Sequence, residues 1–249
     1  MKWALTLTLF LYIVSPQVLA SQVMEFTVGA NYGQIKPKGL IGGASDSTLS
    51  LLETKESFDE VYLLFEHPFP LIPNVKLVSS NFEHEFNADL TQTFSVGEQY
   101  YRVASALSAH YQYEKMDYIF FYEVFDNQVL ELDAGLVIRD SGATLSVINL
   151  DEVNQASSQN GNRVDAMLYG LGQFNLPLLD LSFFATTNYL DGNNYDAQVA
   201  IEYQLRMVPM LTPFVQFGFK THKTESDNLD GMFLQQEWET TYLGFGFSF

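Results

Sequence analysis

From residue 24 onward, apolar and polar positions alternate with a period of two in run after run. Between Tyr195 and Leu205, Ala197, Val199, Ile201, Tyr203 and Leu205 alternate with Asp196, Gln198, Ala200, Glu202 and Gln204. Leu130, Leu132, Ala134, Leu136 and Ile138 are set against Glu131, Asp133, Gly135, Val137 and Arg139. Val215, Phe217 and Phe219 face away from Gln216, Gly218, Lys220 and His222, as Val61, Leu63 and Phe65 do from Tyr62, Leu64 and Glu66. Successive side chains of a strand point to opposite faces, so each run predicts a strand with one apolar face. Ten such strands are expected, at about 24–33, 59–67, 75–86, 100–124, 129–148, 164–176, 181–190, 195–205, 213–224 and 232–249.

Two kinds of connection alternate between them. Residues 68–74, 125–128, 177–180 and 206–212 are short and rich in turn residues; 34–58, 87–99, 150–162, 191–194 and 225–231 are polar and often longer. Residues 87–107 also fit an extra hairpin or an extension of their neighbours. No repeat and no domain boundary interrupts the pattern, so residues 21–249 are expected to form one domain.

A soluble sandwich also alternates, but its strands average ~5–6 residues, whereas ~9–11 residues suit a tilted bilayer crossing. Short turns at one end and longer loops at the other are the asymmetry of a membrane barrel. Tyr118, Phe120, Tyr122, Tyr189 and Tyr203 lie near strand ends on the apolar faces, where interfacial girdles belong. The expected fold is therefore all-β: a closed antiparallel transmembrane barrel of about ten strands, with eight possible. The end, YLGFGFSF, sets Leu243, Phe245, Phe247 and Phe249 on one face, as a lipid-facing row would be. It also resembles the C-terminal signal by which bacterial outer-membrane proteins are recognised by the barrel assembly machinery.

Residues 1–20 read differently. Lys2 precedes an apolar core from Trp3 to Val14, then Pro16 and the small-residue ending at Ala20, the pattern of a cleaved secretory signal peptide. No later run approaches the ~20 apolar residues of a membrane helix. A formal net charge of −18 argues against nucleic-acid binding, which needs clustered cations. With no cysteine, an exported chain must be held by its packing or sheet closure.

LFEHPFPLIPNVKL (64–77), FYEVFDNQVLELDAGL (121–136), MLYGLGQFNLP (167–177) and the YLGFGFSF end resemble a family of proteobacterial outer-membrane β-barrel proteins. Its members are small single barrels sharing an EHPxPLxPN turn and a YYEVxDN turn. The resemblance runs in order over most of residues 21–249 and is less distinct at 34–58 and 87–107. It implies a barrel of eight to ten strands in the outer membrane of Gram-negative bacteria, and it carries no established activity. The turn residues have physical readings of their own. Pro68, Pro70 and Pro73 fix φ and remove donors, making a rigid turn between His67 and Asn74 that lets Phe69, Leu71 and Ile72 rest in the interface. Asp126 and Asn127 suit a tight hairpin.

Chemistry is sought on the inward faces, because a membrane barrel's lumen is polar. Alternation puts Glu66, Lys76, Asp117, Glu123, Glu131, Asp133, Arg139, Asp165, Asp196, Glu202, Lys220 and His222 there. Paired charges filling a narrow lumen are the first reading; a cation-favouring pore with acidic rings is the alternative. His84 and His222 fall inward near the outer rim, level with Glu83, Glu85 and Asp227, so a rim hydrolase or metal site is a second alternative. No nucleophile motif or HExxH accompanies them, His67 belongs to the turn, and His110 faces outward. The acidic runs at 149–162 and 226–231 lack EF-hand spacing and read as solvated loops. The expectation is a monomeric, non-enzymatic outer-membrane barrel without cofactor or metal, structural or narrowly permeable. Its expected partners are lipid, lipopolysaccharide and the assembly machinery.

Overall fold

The computed structural model describes residues 24–249 except 52, 53, 153 and 206–210. The expected signal peptide lies outside the described residues. The strands are β1 (Glu25–Ile35), β2 (Lys38–Ala44), β3 (Ser47–Leu51), β4 (Glu56–Glu66), β5 (Asn74–Asp89), β6 (Phe94–Val96), β7 (Gln99–Tyr101), β8 (Ala106–Asp126), β9 (Leu130–Asn149), β10 (Ala156–Leu176), β11 (Leu181–Asp191), β12 (Asn194–Gln204), β13 (Thr212–Leu229) and β14 (Met232–Ser248). Ten of them, β1, β4, β5 and β8 to β14, pair antiparallel in chain order and close into a barrel through β1 and β14.

The seam runs from Thr27 opposite Ser248 to Ile35 opposite Thr240. Phe249 completes it: its N–H donates to the Phe26 carbonyl at 3.0 Å, and the Phe26 N–H donates to its carbonyl at 2.9 Å. The two rings pack with centroids 5.3 Å apart. Closure leaves no strand edge, as a lipid environment requires.

The expected ten staves are all present, but the connection at residues 34–58 is more ordered than a loop reading allows. Residues 34–58 hold the β2–β3 hairpin, which pairs onto β14 from Lys38 opposite Glu237 to Gly42 opposite Phe233. Residues 94–101 form the separate β6–β7 hairpin, the extra hairpin that the pattern of residues 87–107 fits. β10 begins at Ala156, eight residues before the expected start, and β8 begins at Ala106 instead of 100.

The ordered structure beyond the apolar belt has a common cause. On β9 the outward row is Leu130, Leu132, Ala134, Leu136 and Ile138, then Asp140, Gly142, Thr144 and Ser146. β8 shows the same change, from Tyr122, Phe120, Tyr118 and Met116 to Glu114 and Gln112. β14 passes from Phe247, Phe245 and Leu243 to Thr241, Glu239 and Glu237. Leu130 to Ile138 is about 27 Å of strand, or ~21 Å along the normal at ~40° tilt, close to the ~25 Å apolar band of such barrels. Beyond it the wall continues into water. There the inside inverts as well: Phe82, Phe86, Tyr111, Leu145, Val147 and Trp238 point inward and are buried. Apolar outside and polar inside becomes polar outside and apolar inside, because the solvent has changed.

The short turns are built by side chains. His67 braces the proline turn: its Nδ1 accepts the Phe69 N–H at 3.2 Å and its Nε2 donates to the Pro73 carbonyl at 3.2 Å, which requires the Nε2-protonated tautomer. Asn74 Oδ1 accepts the His67 N–H at 3.0 Å. Asn127 Oδ1 accepts the N–H groups of Val129 and Leu130 at 2.8 and 2.9 Å. Phe69, Leu71 and Ile72 are exposed at this end of the belt, as an interfacial role requires.

Candidate functional site

The lumen has three levels. At the outer end it is filled by an apolar plug. Trp238 packs against Phe58 at 5.1 Å and Phe82 at 6.4 Å, and Phe82 meets Tyr111 edge-on at 5.7 Å. Ile41, Leu49 and Leu51 from the β2–β3 hairpin, and Phe94, Val96 and Tyr101 from β6–β7, join the same cluster. The hairpins are thus the lid of the core.

Below the plug lies a girdle of buried charge. Arg139 grips Asp117 through two bonds, Nε–Oδ1 at 2.6 Å and Nη2–Oδ2 at 2.8 Å, and also bonds Asp196. Lys115 reaches Asp196 at 2.6 Å and Asp117 at 3.4 Å. His222 bonds the other Asp196 oxygen through Nδ1 and stacks on Trp238 at 4.9 Å, joining girdle to plug. Across the lumen Lys220 pairs with Glu60, which also accepts from Asn31 at 3.0 Å. Three cations meet three carboxylates, each of them buried. A cavity of only about 50 Å³ remains among these groups.

The level nearest the short turns is different. Among the described residues, a chamber of about 580 Å³ is lined by the acids Glu25, Glu66, Glu131, Asp133, Asp180 and Glu202 and by a single lysine, Lys76. Its lining extends to Gln128, Pro177 and Ser248, so it opens at the short-turn end. Lys76 sits over the Tyr62 ring at 5.0 Å from its centroid. Glu202 accepts from Gln216 at 2.7 Å and Gln204 at 3.2 Å. Near the mouth, Glu123 accepts from Asn74 at 2.9 Å.

The twelve residues assigned inward all line the interior side, but they do not form one network. Asp117, Arg139, Asp196, Lys220 and His222 meet in the girdle. Asp165 pairs with Arg163 at 2.6 Å further out. Glu66, Lys76, Glu123, Glu131, Asp133 and Glu202 stand apart, and among the described residues none of them makes an ion pair within 4.0 Å. Glu60, Lys115 and Arg163 are essential members that the inward set omitted. Each stands two residues before a residue of that set's face, Tyr62, Asp117 or Asp165, so parity alone identifies them.

The histidines do not form an open rim site. His84 is buried, bonded to Glu56 at 2.9 Å and Thr54 at 3.3 Å and stacked on Phe86 at 5.0 Å. His222 is buried in the girdle with other partners. Glu83 and Glu85 point outward, and Glu85 meets the outward His110 at 3.4 Å. Leu243, Phe245, Phe247 and Phe249 are exposed on the outer face, in the apolar belt. Among the described residues no cluster of histidines and carboxylates has metal-binding geometry.

A closed ten-strand antiparallel barrel with an apolar outer belt and a polar lumen is the fold of the outer-membrane β-barrels. No family model and no curated protein sequence matches the chain. Solved structures do. The outer membrane protease OmpT from Escherichia coli superposes with a TM-score of 0.51 at 7% identity, covering 90% of this chain and 96% of that one. The attachment invasion locus protein Ail of Yersinia pestis matches with a TM-score of 0.38 and 11% identity over 90% of this chain and 98% of its own. The translocator domain of the autotransporter NalP from Neisseria meningitidis matches at 0.41 and 13%, over 98% and 95%. Identities this low speak to the fold alone.

Proposed function

We propose that this protein is a monomeric, non-enzymatic integral barrel of the outer membrane, closed to flow between its two ends. Export by the signal peptide and insertion by the assembly machinery through the Phe249 end complete the reading, with membership in the proteobacterial family whose turns it resembles. The observation that carries it is the sequence of levels in the lumen. A charge-balanced girdle with about 50 Å³ of free space sits directly beneath an apolar plug. An ion crossing it would have to separate buried pairs and then enter an apolar core, and both steps cost several kcal/mol. The burial of His84 and His222 supports the non-enzymatic reading over a rim hydrolase.

Planar-bilayer recording of the refolded protein tests the closure. The expected trace has no unitary steps above background at 1 M KCl, an ionic strength at which screening is nearly complete. Reproducible steps would overturn it. The hydrolase alternative predicts turnover of peptide or lipid substrates that His84→Ala and His222→Ala abolish.

A further inference from the structure

We infer that the chamber at the short-turn end is a binding site for a small organic polycation, an aliphatic chain carrying two or more ammonium groups. The inference rests on the chamber's own lining, and holds whether or not the lumen above it conducts.

Charge comes first. Among the described residues, Glu25, Glu66, Glu131, Asp133 and Glu202 surround one space with Lys76 as the single lysine of the lining. The girdle just above balances cation against carboxylate, so of these two levels of the lumen the chamber carries the excess of acid. Asp133 gives the second observation. It is 6% exposed, it lines the chamber, and its Oδ1 is buried with no hydrogen-bond partner among the described residues. A buried carboxylate oxygen without a donor is costly, and a ligand N–H would supply the missing partner.

Shape then selects the kind of cation. Among the described residues no three of these acids converge at metal distance, which disfavours a single compact ion. The carboxylates are instead spread around about 580 Å³, within the range of small-molecule sites. Between them lie apolar and aromatic surfaces, from Tyr62, Phe121, Tyr169 and Phe214. Separated acids interleaved with rings match ammonium groups separated by methylenes, since the rings accept both the cation's charge and the chain's apolar surface. The opening at the short-turn end gives such a ligand access without passing the plug.

The probe is spermidine, titrated into the refolded full chain in detergent at 150 mM NaCl by calorimetry. Saturable binding with one site per chain is expected. Asp133→Asn with Glu131→Gln should weaken it at least tenfold, while Glu83→Gln with Glu85→Gln on the outer wall should leave it unchanged. Mg²⁺ at equal charge should compete poorly. Binding that fails to saturate, that the outer-wall pair reduces as much as the chamber pair, or that Mg²⁺ displaces charge for charge would overturn the inference. Should the Asp133 and Glu131 variants fail to refold, Glu202→Gln provides the second test, with the same expected direction.

Discussion

Arg139→Met isolates the girdle. The guanidinium makes two bonds to Asp117, at 2.6 and 2.8 Å, and one to Asp196. Methionine fills much of the same volume and removes the charge. Two carboxylates then depend on Lys115, which stands 2.6 Å from Asp196 and 3.4 Å from Asp117. At an effective dielectric of ~20, each close pair is worth about 4 kcal/mol. Arg139 gains two such attractions and loses about one to repulsion by Lys115, so the expected cost is about 4 kcal/mol. That agrees with the ~3–5 kcal/mol typical of breaking a buried pair from one side.

Urea unfolding in detergent, followed by tryptophan fluorescence, measures it well. Of the two tryptophans, Trp3 lies in the expected signal peptide and Trp238 stacks on His222 at the top of the girdle. Adding Asp117→Leu to Arg139→Met restores balance, leaving Lys115 with Asp196, and should recover most of the loss. A comparison at the less buried Arg163–Asp165 pair, as Arg163→Met, should cost less. A loss under ~1 kcal/mol for Arg139→Met, or no recovery in the double variant, would refute the claim that pairing holds the girdle together.

Four further outcomes follow from other levels of the barrel. Trp238→Ala removes the largest ring of the plug and should cost about 3–5 kcal/mol, read as a lower temperature for the heat-modifiable gel shift. Gly218→Val meets Tyr242, whose ring carbon lies 2.5 Å from the added Cβ, and should destabilise by about 1–3 kcal/mol in the same assay. Phe245→Arg puts a charge in the lipid-facing belt and should cost up to ~2–4 kcal/mol in refolding titrations into liposomes, with Gln34→Arg above the belt near zero. His67→Ala deletes two hydrogen bonds in the proline turn and should cost about 1–3 kcal/mol by the same titration.

Much of this was legible in the chain. Alternation located all ten staves, the proline and Asn127 turns, and the outward row of Leu243, Phe245, Phe247 and Phe249, because parity on a strand is set by backbone geometry. Parity also marks Glu60 and Lys115, which the inward set omitted. The glycines carry a related signal. Gly29 faces Tyr62, Gly135 faces Phe121, Gly218 faces Tyr242 and Gly246 faces Phe214 across the strands, and an added Cβ would strike each of these side chains within 2.8 Å. Inward glycine opposite inward aromatic is a packing rule that only the pairing register makes visible.

Height along the strand was the harder coordinate. A polar lumen was expected along the whole interior, yet that rule belongs to the part of a wall bathed in lipid. Where Glu114, Asp140 and Glu239 replace Met116, Ile138 and Leu243 on the outside, the wall has entered water, and ordinary core formation takes over inside. The switch is present in the sequence as a change of which parity is apolar. On β9, Leu136 and Ile138 belong to one parity, while Ala143, Leu145 and Val147 belong to the other. Read as a single alternation, that change of phase looks like a weakening strand, which explains the late expected start of β10 and the loop assigned to residues 150–162. Read as two alternations of opposite phase, it locates the bilayer boundary and predicts the plug above it. The same phase change separates a lumen lined by charged side chains from a core that excludes them, so the chamber proposed to bind a polycation lies below Arg139, with the short turns at its entrance.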